Sequence, residues 1–248
     1  MSRYENIVSM WHSFNITETS DIDKYLDSFR ILFAYNSCKI ENSETSYHNT
    51  RDIFENNNVC GYTGNVRTLL EIYNHKLCYE ALKYRITEKQ PMSIDLIKEI
   101  HLILTSGTYD EVRFIVNGER SGEFKKHNNV VGANIGAAPE KVENELHTLF
   151  NELDKYSPSV LFRAAYLHAH FEHIHPFTDG NGRVGRVLMN YYLMINDHPP
   201  LIVYDEDKNE YYDALEEYDK SKDIVPLYDF MKFEIDKTWA KTLERNML

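Results

Sequence analysis

The chain has 248 residues, of which 42% are hydrophobic, and this is enough to bury a sizeable core. Its net charge of −12 disfavours nucleic acid or an anionic membrane as the main partner. The three cysteines show no CxxC spacing, and the sequence has neither a signal-peptide pattern nor an apolar run of membrane-spanning length. We therefore expect a soluble, acidic protein with reduced thiols in the cytoplasm, and export by a specialised secretion system is compatible with the same sequence.

The first 92 residues predict mostly helices. A weak helical pattern at residues 7–14 is followed by Thr19-Ser20-Asp21, which is typical of the cap of a longer helix. That helix is expected to run on to about residue 42, and its apolar stripe consists of Ile22, Tyr25, Leu26, Phe29, Leu32 and Phe33. Residues 44–57 are polar and predict a loop with a short helix, and residues 65–85 are again helical.

From residue 93 onward the chain is predicted to be mainly helical, with one extended segment. Ser93 is a typical N-cap for a helix that ends at Gly107. The β-branched and aromatic run from Val112 to Val116, followed by Asn117-Gly118, predicts a strand and a turn. Further helices are expected at residues 139–156 and 160–174, from about residue 182, from residue 209 and at residues 227–243.

A polar, glycine-rich loop separates two of these helices. Pro176 and the Asp179-Gly180-Asn181-Gly182 cluster end the incoming helix and predict a tight turn. Glycine lets backbone N–H groups approach a ligand closely, and the N-terminus of the next helix favours an anion. The arrangement therefore predicts an anion-binding loop between two helices.

The side chains of this loop have the chemistry of a nucleotide-triphosphate site. His175 can take a proton near neutral pH, and Asp179 is a hard oxygen ligand suited to Mg²⁺. Arg183 and Arg186 are three residues apart, so they share one side of a helix and can both bind phosphate oxygens. A base, a metal carboxylate, an anion-binding loop and two arginines thus lie within residues 175–186.

The stretch His175-Pro176-Phe177-Thr178-Asp179-Gly180-Asn181-Gly182-Arg183-Val184-Gly185-Arg186 resembles the Fic family signature H-x-F-x-[D/E]-G-N-G-R-x-x-R and meets every fixed position. The resemblance implies a mainly α Fic fold, a helical bundle with a β-hairpin flap beside the active-site loop. It implies a catalytic core at residues 93–248 and an N-terminal helical extension at residues 1–92, packed as one globular unit. The implied activity is a protein adenylyltransferase, which moves AMP from ATP to a Ser, Thr or Tyr hydroxyl of a target protein.

The same resemblance assigns roles to the motif residues. His175 would be the catalytic base, and Asp179 would hold Mg²⁺, the implied cofactor, with ATP as co-substrate. The backbone of Gly180 to Gly182, with Asn181, would cradle the phosphates, and Arg183 and Arg186 would bind their β/γ end. Phe177 would anchor the loop in the core.

A second stretch, Ser37-Cys38-Lys39-Ile40-Glu41-Asn42, resembles the inhibitory motif [S/T]-x-x-x-E-[G/N] that many Fic proteins carry. The resemblance implies that Glu41 pairs with Arg186 and prevents the γ-phosphate from binding productively, with Ser37 one helical turn earlier on the same face. Ser37, Glu41 and Asn42 are therefore the predicted inhibitory residues. The alternative is an ordinary solvated helix face, where serine and glutamate four residues apart are common.

Residues 122–139 resemble the Fic flap, the hairpin that holds the target's modifiable segment by main-chain pairing. A protein target is therefore expected to dock on residues 112–134, with Val131, Gly132, Ala133 and Asn134 near the nucleotide. Lys125 stands where family members usually have arginine, which keeps the charge but loses a planar fork. The alternative is a hairpin with a structural role only.

Tyr211 and Tyr212 lie in a segment that resembles the family's Y-Y-x-x-L pattern, whose tyrosines line the adenine and ribose pocket. They are the remaining predicted nucleotide-binding residues, against the alternative that they only pack in an aromatic-rich core. Asp219 stands where the family often has asparagine, so a contact from this position to the base is in doubt.

The histidines invite a zinc interpretation, because four of them occur close together: His168, His170, His173 and His175. On one helix His168 and His170 point about 200° apart. His170 and His173 could face one way, but no cysteine or further ligand joins them at a metal spacing. Structural histidines are therefore favoured over a zinc site.

Three other functions stay open at the level of sequence. Glu41 could position a water for removal of AMP from a modified protein, since some family members use the inhibitory glutamate in this way. Transfer of a different phosphate-containing group is a further alternative, against which the intact Gly180-Asn181-Gly182-Arg183 argues. A nucleotide-sensing interaction protein is the alternative outside the enzymes, and the intact His175 and Asp179 argue against it. Self-modification and a homodimer are compatible with the resemblance.

Overall fold

The structure is a computed structural model that describes residues 2–109, 111–128, 130–131 and 134–246. Over these residues it is mainly helical, as predicted. The helices are α1 (Arg3–Ser13), α2 (Thr19–Glu41), α3 (Tyr47–Asn56), α4 (Val66–Thr87), α5 (Ile94–Leu104), α6 (Glu111–Asn117), α7 (Val142–Tyr156), α8 (Val160–Ile174), α9 (Asn181–Ile195), α10 (Lys208–Ser221) and α11 (Val225–Asn246). Single 3₁₀ turns at Pro139–Lys141 and Asp205–Asp207 precede α7 and α10.

Helix α9 lies at the centre of the fold, and most of its side chains are buried. It packs against α8, α5, α4 and the end of α2. Small residues such as Ala164 and Ala165 on α8 are fully buried, which lets the backbones of neighbouring helices approach. The loop that joins α8 to α9 is therefore held at the centre of the bundle by both of its flanking helices.

The N-terminal helices pack on the rest of the chain through large apolar side chains. Helix α1 packs on α11, where the rings of Trp11 and Trp239 meet edge to face with centroids 5.4 Å apart. Phe14 stacks on Tyr25 of α2 at 4.2 Å, and Leu26 is completely buried. Burial of such side chains stabilises the fold by about 1.5–3 kcal/mol each. The predicted boundary at residue 92 thus falls inside a continuous hydrophobic core.

Helix α2 has two different contact surfaces near its C-terminal end. Towards α3 and α4 it contributes to a second apolar cluster with Ile31, Ala34, Cys38, Ile53, Phe54 and Ile72. Towards α9 it presents Ser37, whose side chain is 1% exposed and polar. The end of α2 is therefore fixed by apolar packing on one side and faces the motif helix through polar groups on the other.

The strand predicted at residues 112–116 is wrong, because this segment is helix α6. Most of its apolar side chains are exposed, with Ile115 at 78% and Val116 at 73%. A strand is stable only when a neighbouring strand accepts its backbone hydrogen bonds, and no described segment pairs with this one. Gly118, with φ +69°, instead donates from its N–H to the Phe114 carbonyl and ends the helix.

The only strand pairing among the described residues is short. Val130–Val131 pairs antiparallel with Asn134–Ile135, with Val131 opposite Asn134. Gly132 and Ala133, which were predicted to lie near the nucleotide, are outside the described residues. Two residues in each strand are too few to establish the expected β-hairpin flap. The prediction of a mainly helical fold is confirmed, and the flap stays a prediction. Within the described part of the chain, no helix is long and apolar enough to cross a lipid bilayer.

Candidate active site

The loop between α8 and α9 begins and ends in left-handed backbone conformations. His175 caps α8 with φ +49° and donates from its N–H to the Phe171 carbonyl at 2.9 Å. Gly180 caps the start of α9 with φ +81°, a conformation that a residue with a Cβ rarely adopts. These two reversals turn the chain sharply and direct the start of α9 towards the side chain of residue 175.

Phe177 and Asn181 hold the loop in this shape. Phe177 is completely buried, as predicted, and stacks on the ring of His101 with centroids 3.8 Å apart. The Asn181 side chain accepts from the Phe177 N–H at 2.9 Å and donates to the Phe177 carbonyl at 2.7 Å. Both ends of the Asn181 amide therefore bind the loop, and the residue is 2% exposed, so its side chain holds the shape of the loop.

His101 of α5 supports the loop from outside the motif. Its Nδ1 accepts from the Gly122 N–H at 2.8 Å, so its Nε2 carries the proton and donates to the Asp179 carbonyl at 3.0 Å. Burial lowers the pKa of His101 to about 4, which keeps the ring neutral at physiological pH. Sequence reasoning missed this residue, because a histidine in an apolar helix gives no sign of its distant partners.

His175 is half-buried beside the flap segment. Burial lowers its pKa to about 4, and the ammonium group of Lys125 acts in the same direction. Lys125 is itself 3% exposed, and its Nζ donates to the Ile174 carbonyl at 3.3 Å. A Cβ on Gly136 would come within 2.9 Å of the same carbonyl and 3.0 Å of the His175 Cβ, so this approach requires glycine. The His175 ring is therefore neutral at pH 7 and can accept a proton.

Asp179 is surrounded by positive charge. Its Oδ2 lies 3.2 Å from Arg67 Nη2, and its Oδ1 lies 3.8 Å from Arg183 Nη2. Burial acts to raise the pKa of Asp179, but the two guanidinium groups outweigh it and the pKa is lowered. An ionised carboxylate that lines the cavity, with 38% of its side chain exposed, supplies the oxygen ligand that a hard cation such as Mg²⁺ prefers.

The two motif arginines are buried in different surroundings. Arg183 is 4% exposed, its Nη1 lies 3.3 Å from Glu71 Oε1, and its Nε has no hydrogen-bond partner among the described residues. Arg186 is 1% exposed, and its Nε and Nη2 donate to the Ser37 hydroxyl at 3.1 Å and the Ser37 carbonyl at 2.9 Å. Both guanidinium groups are thus fixed before any ligand binds.

Glu41 contacts the second of these arginines, 145 residues away in sequence. Arg186 Nη2 donates to Glu41 Oε1 at 2.8 Å, and burial, which would lower the pKa of Arg186, is outweighed by Glu41, so the pKa is raised. A Cβ on Gly182 would come within 2.5 Å of the same Glu41 oxygen, so glycine makes room for the carboxylate. The Asn42 side chain donates to Thr68 at 3.0 Å and Glu71 at 3.3 Å, which ties the end of α2 to α4.

Many of these groups line one cavity of about 410 Å³, although Arg186 lies behind Glu41 and is not one of its lining residues. Its lining combines the predicted base, the predicted metal carboxylate, the glycine-rich backbone and the end of α2. The lining residues are Glu41, Asn42, Arg67, Glu71, His175, Thr178, Asp179, Gly180, Asn181, Gly182 and Arg183. Its volume is typical of a small-molecule site. The sequence motif, the C-terminal end of α2 and the N-terminal end of α4 therefore form a single candidate active site.

Comparison with known proteins agrees with this geometry. Residues 91–193 match the model of the Fic/DOC family. These residues are a Fic domain. A curated protein adenylyltransferase Fic from Nematostella vectensis is 32% identical over a region that covers 61% of this chain and 35% of its own length. A second, from Drosophila persimilis, is 30% identical over a region that covers 85% of this chain and 39% of its own length. The chain therefore spans less than half the length of these relatives.

Solved structures show the same fold over nearly the whole chain. A Fic domain containing signaling protein from Bacteroides thetaiotaomicron superposes with a TM-score of 0.83 over 98% of this chain and 96% of its own, at 24% identity. Fic-1 from C. elegans superposes with a TM-score of 0.77 over 99% of this chain and 71% of its own, also at 24% identity. The similarity extends beyond the Fic domain into the N-terminal helices.

The two predicted tyrosines of α10 differ in their exposure. Tyr211 is 1% exposed, and its hydroxyl lies 2.7 Å from His168 Nε2. Tyr212 is 45% exposed, so of the pair it is the one with ring surface available to a ligand. Val131 and Asn134 are described only through their backbone pairing beside the Fic domain loop.

The histidines of α8 bind separate partners. His168 contacts Tyr211, the Nδ1 of His170 lies 2.9 Å from the Tyr218 hydroxyl, and the Nδ1 of His173 lies 2.7 Å from Asp219 Oδ1. Over the residues that the structure describes, His, Cys, Asp and Glu side chains form no group of three or more that could hold a metal. Asp219 is thus engaged by His173.

Glu172 is a half-buried acid beneath the Fic motif helix, and its Oε1 atom is buried. Burial raises its pKa to about 8, and its Oε1 has no hydrogen-bond partner among the described residues. A Cβ on Gly185 would come within 2.5 Å of this oxygen, so the glycine of the motif makes room for it. Nothing in the sequence pattern distinguished Glu172 from the neighbouring charged residues of α8.

Proposed function

We propose that this Fic domain chain is a protein adenylyltransferase, which transfers AMP from ATP to a Ser, Thr or Tyr hydroxyl of a target protein. The observation that carries the proposal is the convergence of a neutral His175, an ionised Asp179 and the glycine-rich turn on one cavity. The names of the relatives from Nematostella vectensis and Drosophila persimilis support it.

His175 has the protonation state that the reaction needs. Its neutral ring takes the proton of the target hydroxyl as the oxygen attacks the α-phosphorus. A bond forms between that oxygen and the α-phosphorus, the bond from the α-phosphorus to the bridging oxygen of the β-phosphate breaks, and pyrophosphate leaves. A base whose pKa is about 4 takes the proton late, when the attacking oxygen has become acidic through bonding to phosphorus.

The rest of the loop binds the triphosphate. Backbone N–H groups of Gly180 to Gly182 lie at the start of α9, where the helix dipole favours negative charge. Arg183 lines the cavity and would offer its guanidinium to phosphate oxygens, and Arg186, held by Ser37, would bind the β/γ end once Glu41 has moved. Asp179 would hold Mg²⁺, which neutralises phosphate charge when it is bound.

Glu41 makes the free enzyme weakly active in this proposal. The Arg186 edge that a γ-phosphate oxygen needs is already bonded to Glu41 at 2.8 Å. A carboxylate and a phosphate oxygen compete for the same donors, so the γ-phosphate binds productively only after Glu41 has moved. Ser37 keeps Arg186 in place during the exchange, since its two contacts do not involve Glu41.

The target protein would dock on residues 112–134. Exposed apolar side chains on α6, among them Ile115 and Val116, offer contact area, and the short strand Val130–Val131 offers backbone groups for strand addition. This surface lies next to His175 through Lys125, whose N–H donates to the Pro176 carbonyl at 2.9 Å. A segment bound there would bring its hydroxyl to the catalytic base.

Removal of AMP is a second candidate, because Glu41 lines the same cavity as His175 and its side chain is 39% exposed. A carboxylate in that position could orient a water towards a phosphorus atom. This activity would need Glu41, whereas transfer of AMP would be increased by its loss.

The test is transfer of label from ATP carrying ³²P at the α-position, in Mg²⁺, with cell extract as a source of targets. Label is expected on protein with the Glu41→Gly variant, including on the enzyme itself if it is its own target, and none with Glu41→Gly/His175→Ala. Label from γ-³²P ATP would indicate phosphorylation instead. Equal α-label with and without His175 would refute the proposal.

A further inference from the structure

A third arginine, outside both sequence motifs and outside residues 91–193, reaches into the active-site cavity. Arg67 lies in the first turn of α4, and its Nη2 is 3.2 Å from Asp179 Oδ2. Its Nε donates to Glu71 Oε1 at 3.0 Å, and its side chain is 42% exposed. The carboxylate that would receive the metal is therefore already bound to a cation of the protein.

The surrounding charges are balanced without any metal. Glu71, whose side chain is 7% exposed, contacts Arg67 and also lies 3.3 Å from Arg183 Nη1. Arg183 in turn lies 3.8 Å from Asp179 Oδ1. Two guanidinium groups thus neutralise two carboxylates, so Asp179 can stay ionised in the free enzyme and does not repel an approaching polyphosphate.

We propose that Arg67 is the resident counter-ion of Asp179, that the incoming divalent cation displaces it, and that the freed guanidinium then binds the polyphosphate. Asp179 Oδ2 cannot serve a metal ion while a guanidinium occupies it, because the two cations would repel at contact distance. Arg67 has room to move, since 42% of its side chain is exposed, and Glu71 can keep its bond to the Arg67 Nε. The exchange couples arrival of the metal to phosphate binding.

Arg67 is thus a positioning residue for metal and nucleotide. The proposal rests on the proposed function only in that the cavity takes a nucleotide with its metal, and it does not depend on whether AMP is transferred. Its signature is that removal of Arg67 changes metal and nucleotide affinity in opposite directions. Loss of a merely structural contact would weaken both.

The experiment is calorimetric titration of the full chain with a non-hydrolysable ATP analogue, across a series of Mg²⁺ concentrations and in EDTA. All proteins carry Glu41→Gly, so that access to Arg186 is equal. Arg67→Gln is expected to lower the half-saturating Mg²⁺ concentration about three- to tenfold and to weaken binding in EDTA by a similar factor, because one half-exposed charge pair is removed. Arg67→Lys keeps the charge and is expected to bind the analogue in EDTA within about twofold of the parent.

Arg51→Gln is the matched control, because Arg51 pairs with Glu55 on the surface of α3 and is expected to change neither constant. Thermal melts of all variants show whether they are folded. A half-saturating Mg²⁺ concentration that is unchanged or raised in Arg67→Gln, or analogue binding in EDTA that is as tight as in the parent, would overturn the proposal. If the parent protein fails to bind the analogue with Mg²⁺, both the Arg67 proposal and the proposed function are overturned. If the binding constants change as expected but no AMP is transferred to protein, only the proposed function is overturned.

Discussion

Replacement of Glu41 by glycine is expected to increase the rate of AMP transfer about tenfold at subsaturating ATP. The change removes the 2.8 Å contact to Arg186 Nη2. A hydrogen bond to a charged group contributes about 1.5–3 kcal/mol, which corresponds to about ten- to a hundredfold. Because the Glu41 side chain is 39% exposed, solvent screens the pair, and the lower end of that range is expected.

Initial rates of α-label transfer to a fixed protein acceptor measure this effect. Glu41→Gln keeps the shape of the side chain but only a neutral acceptor for Arg186, so it should fall between wild type and Glu41→Gly. Glu44→Gly is the matched control, since Glu44 is exposed near the same helix end and contacts neither arginine of the motif. A Glu41→Gly rate no higher than wild type, or an equal rise with Glu44→Gly, would refute the competition between Glu41 and phosphate.

Three further predictions follow from the buried polar groups. Because His175 has a pKa of about 4, the rate of AMP transfer should be level between pH 6 and 8. Lys125→Met removes the nearby ammonium group, so the decrease of the rate at acid pH should begin at a higher pH than in wild type. An unchanged pH–rate profile would contradict this. Asn181→Ala should lower the free energy of unfolding by about 1–3 kcal/mol in urea titrations and also abolish transfer, because its amide holds the loop. Asn190→Ala, which loses two comparable bonds to Leu201, should cost similar stability but keep transfer, and equal activity of the two variants would argue against the loop role. Finally, the urea concentration at the unfolding midpoint should decrease as the pH is lowered from 6.5 to 4.5. Histidines of the unfolded chain take up protons below about pH 6.5, whereas buried neutral histidines do not, so each such histidine lowers the free energy of unfolding by about 1.4 kcal/mol per pH unit. Glu172 and Glu234, with pKa values raised to about 8, oppose this loss of stability. They are outnumbered by the buried histidines whose pKa values are lowered to about 3 or 4, which include His75, His101, His168 and His198. A midpoint that rises on acidification would refute the assignment.

The loop between α8 and α9 was predictable because its structure depends on neighbours in sequence. Gly180 sits where φ is positive, Pro176 and the polar cluster stop α8, and Phe177 supplies the one apolar anchor. The mainly helical fold was predictable for a similar reason, since most helices have an apolar stripe of their own and several, such as α5 and α8, begin at a capping serine. The contact between Glu41 and Arg186 spans 145 residues, and only the resemblance to a family motif indicated it.

Other parts of the site could not be read from local patterns. Arg67 and Glu71 are an ordinary i, i+4 pair on a helix, and nothing in their spacing shows that they also reach Asp179 and Arg183. The run Val112–Val116 has high strand propensity, but no strand of the described residues pairs with it, so tertiary context decided in favour of a short helix. In both cases the deciding contacts, or their absence, involve segments that are distant in sequence.

The way in which α2 is held determines how Glu41 can leave Arg186. The C-terminal end of α2 is packed on α3 and α4 through an apolar cluster that includes Cys38, and Asn42 ties it to Glu71. Arg186 is in turn fixed by two contacts to Ser37, so neither backbone at the pair has freedom to separate without loss of buried area. The Glu41 side chain is the exposed member and can change rotamer into solvent while both helices stay in place. In the proposed enzyme, relief of inhibition would therefore be a side-chain event at the end of α2 that leaves both helices in place.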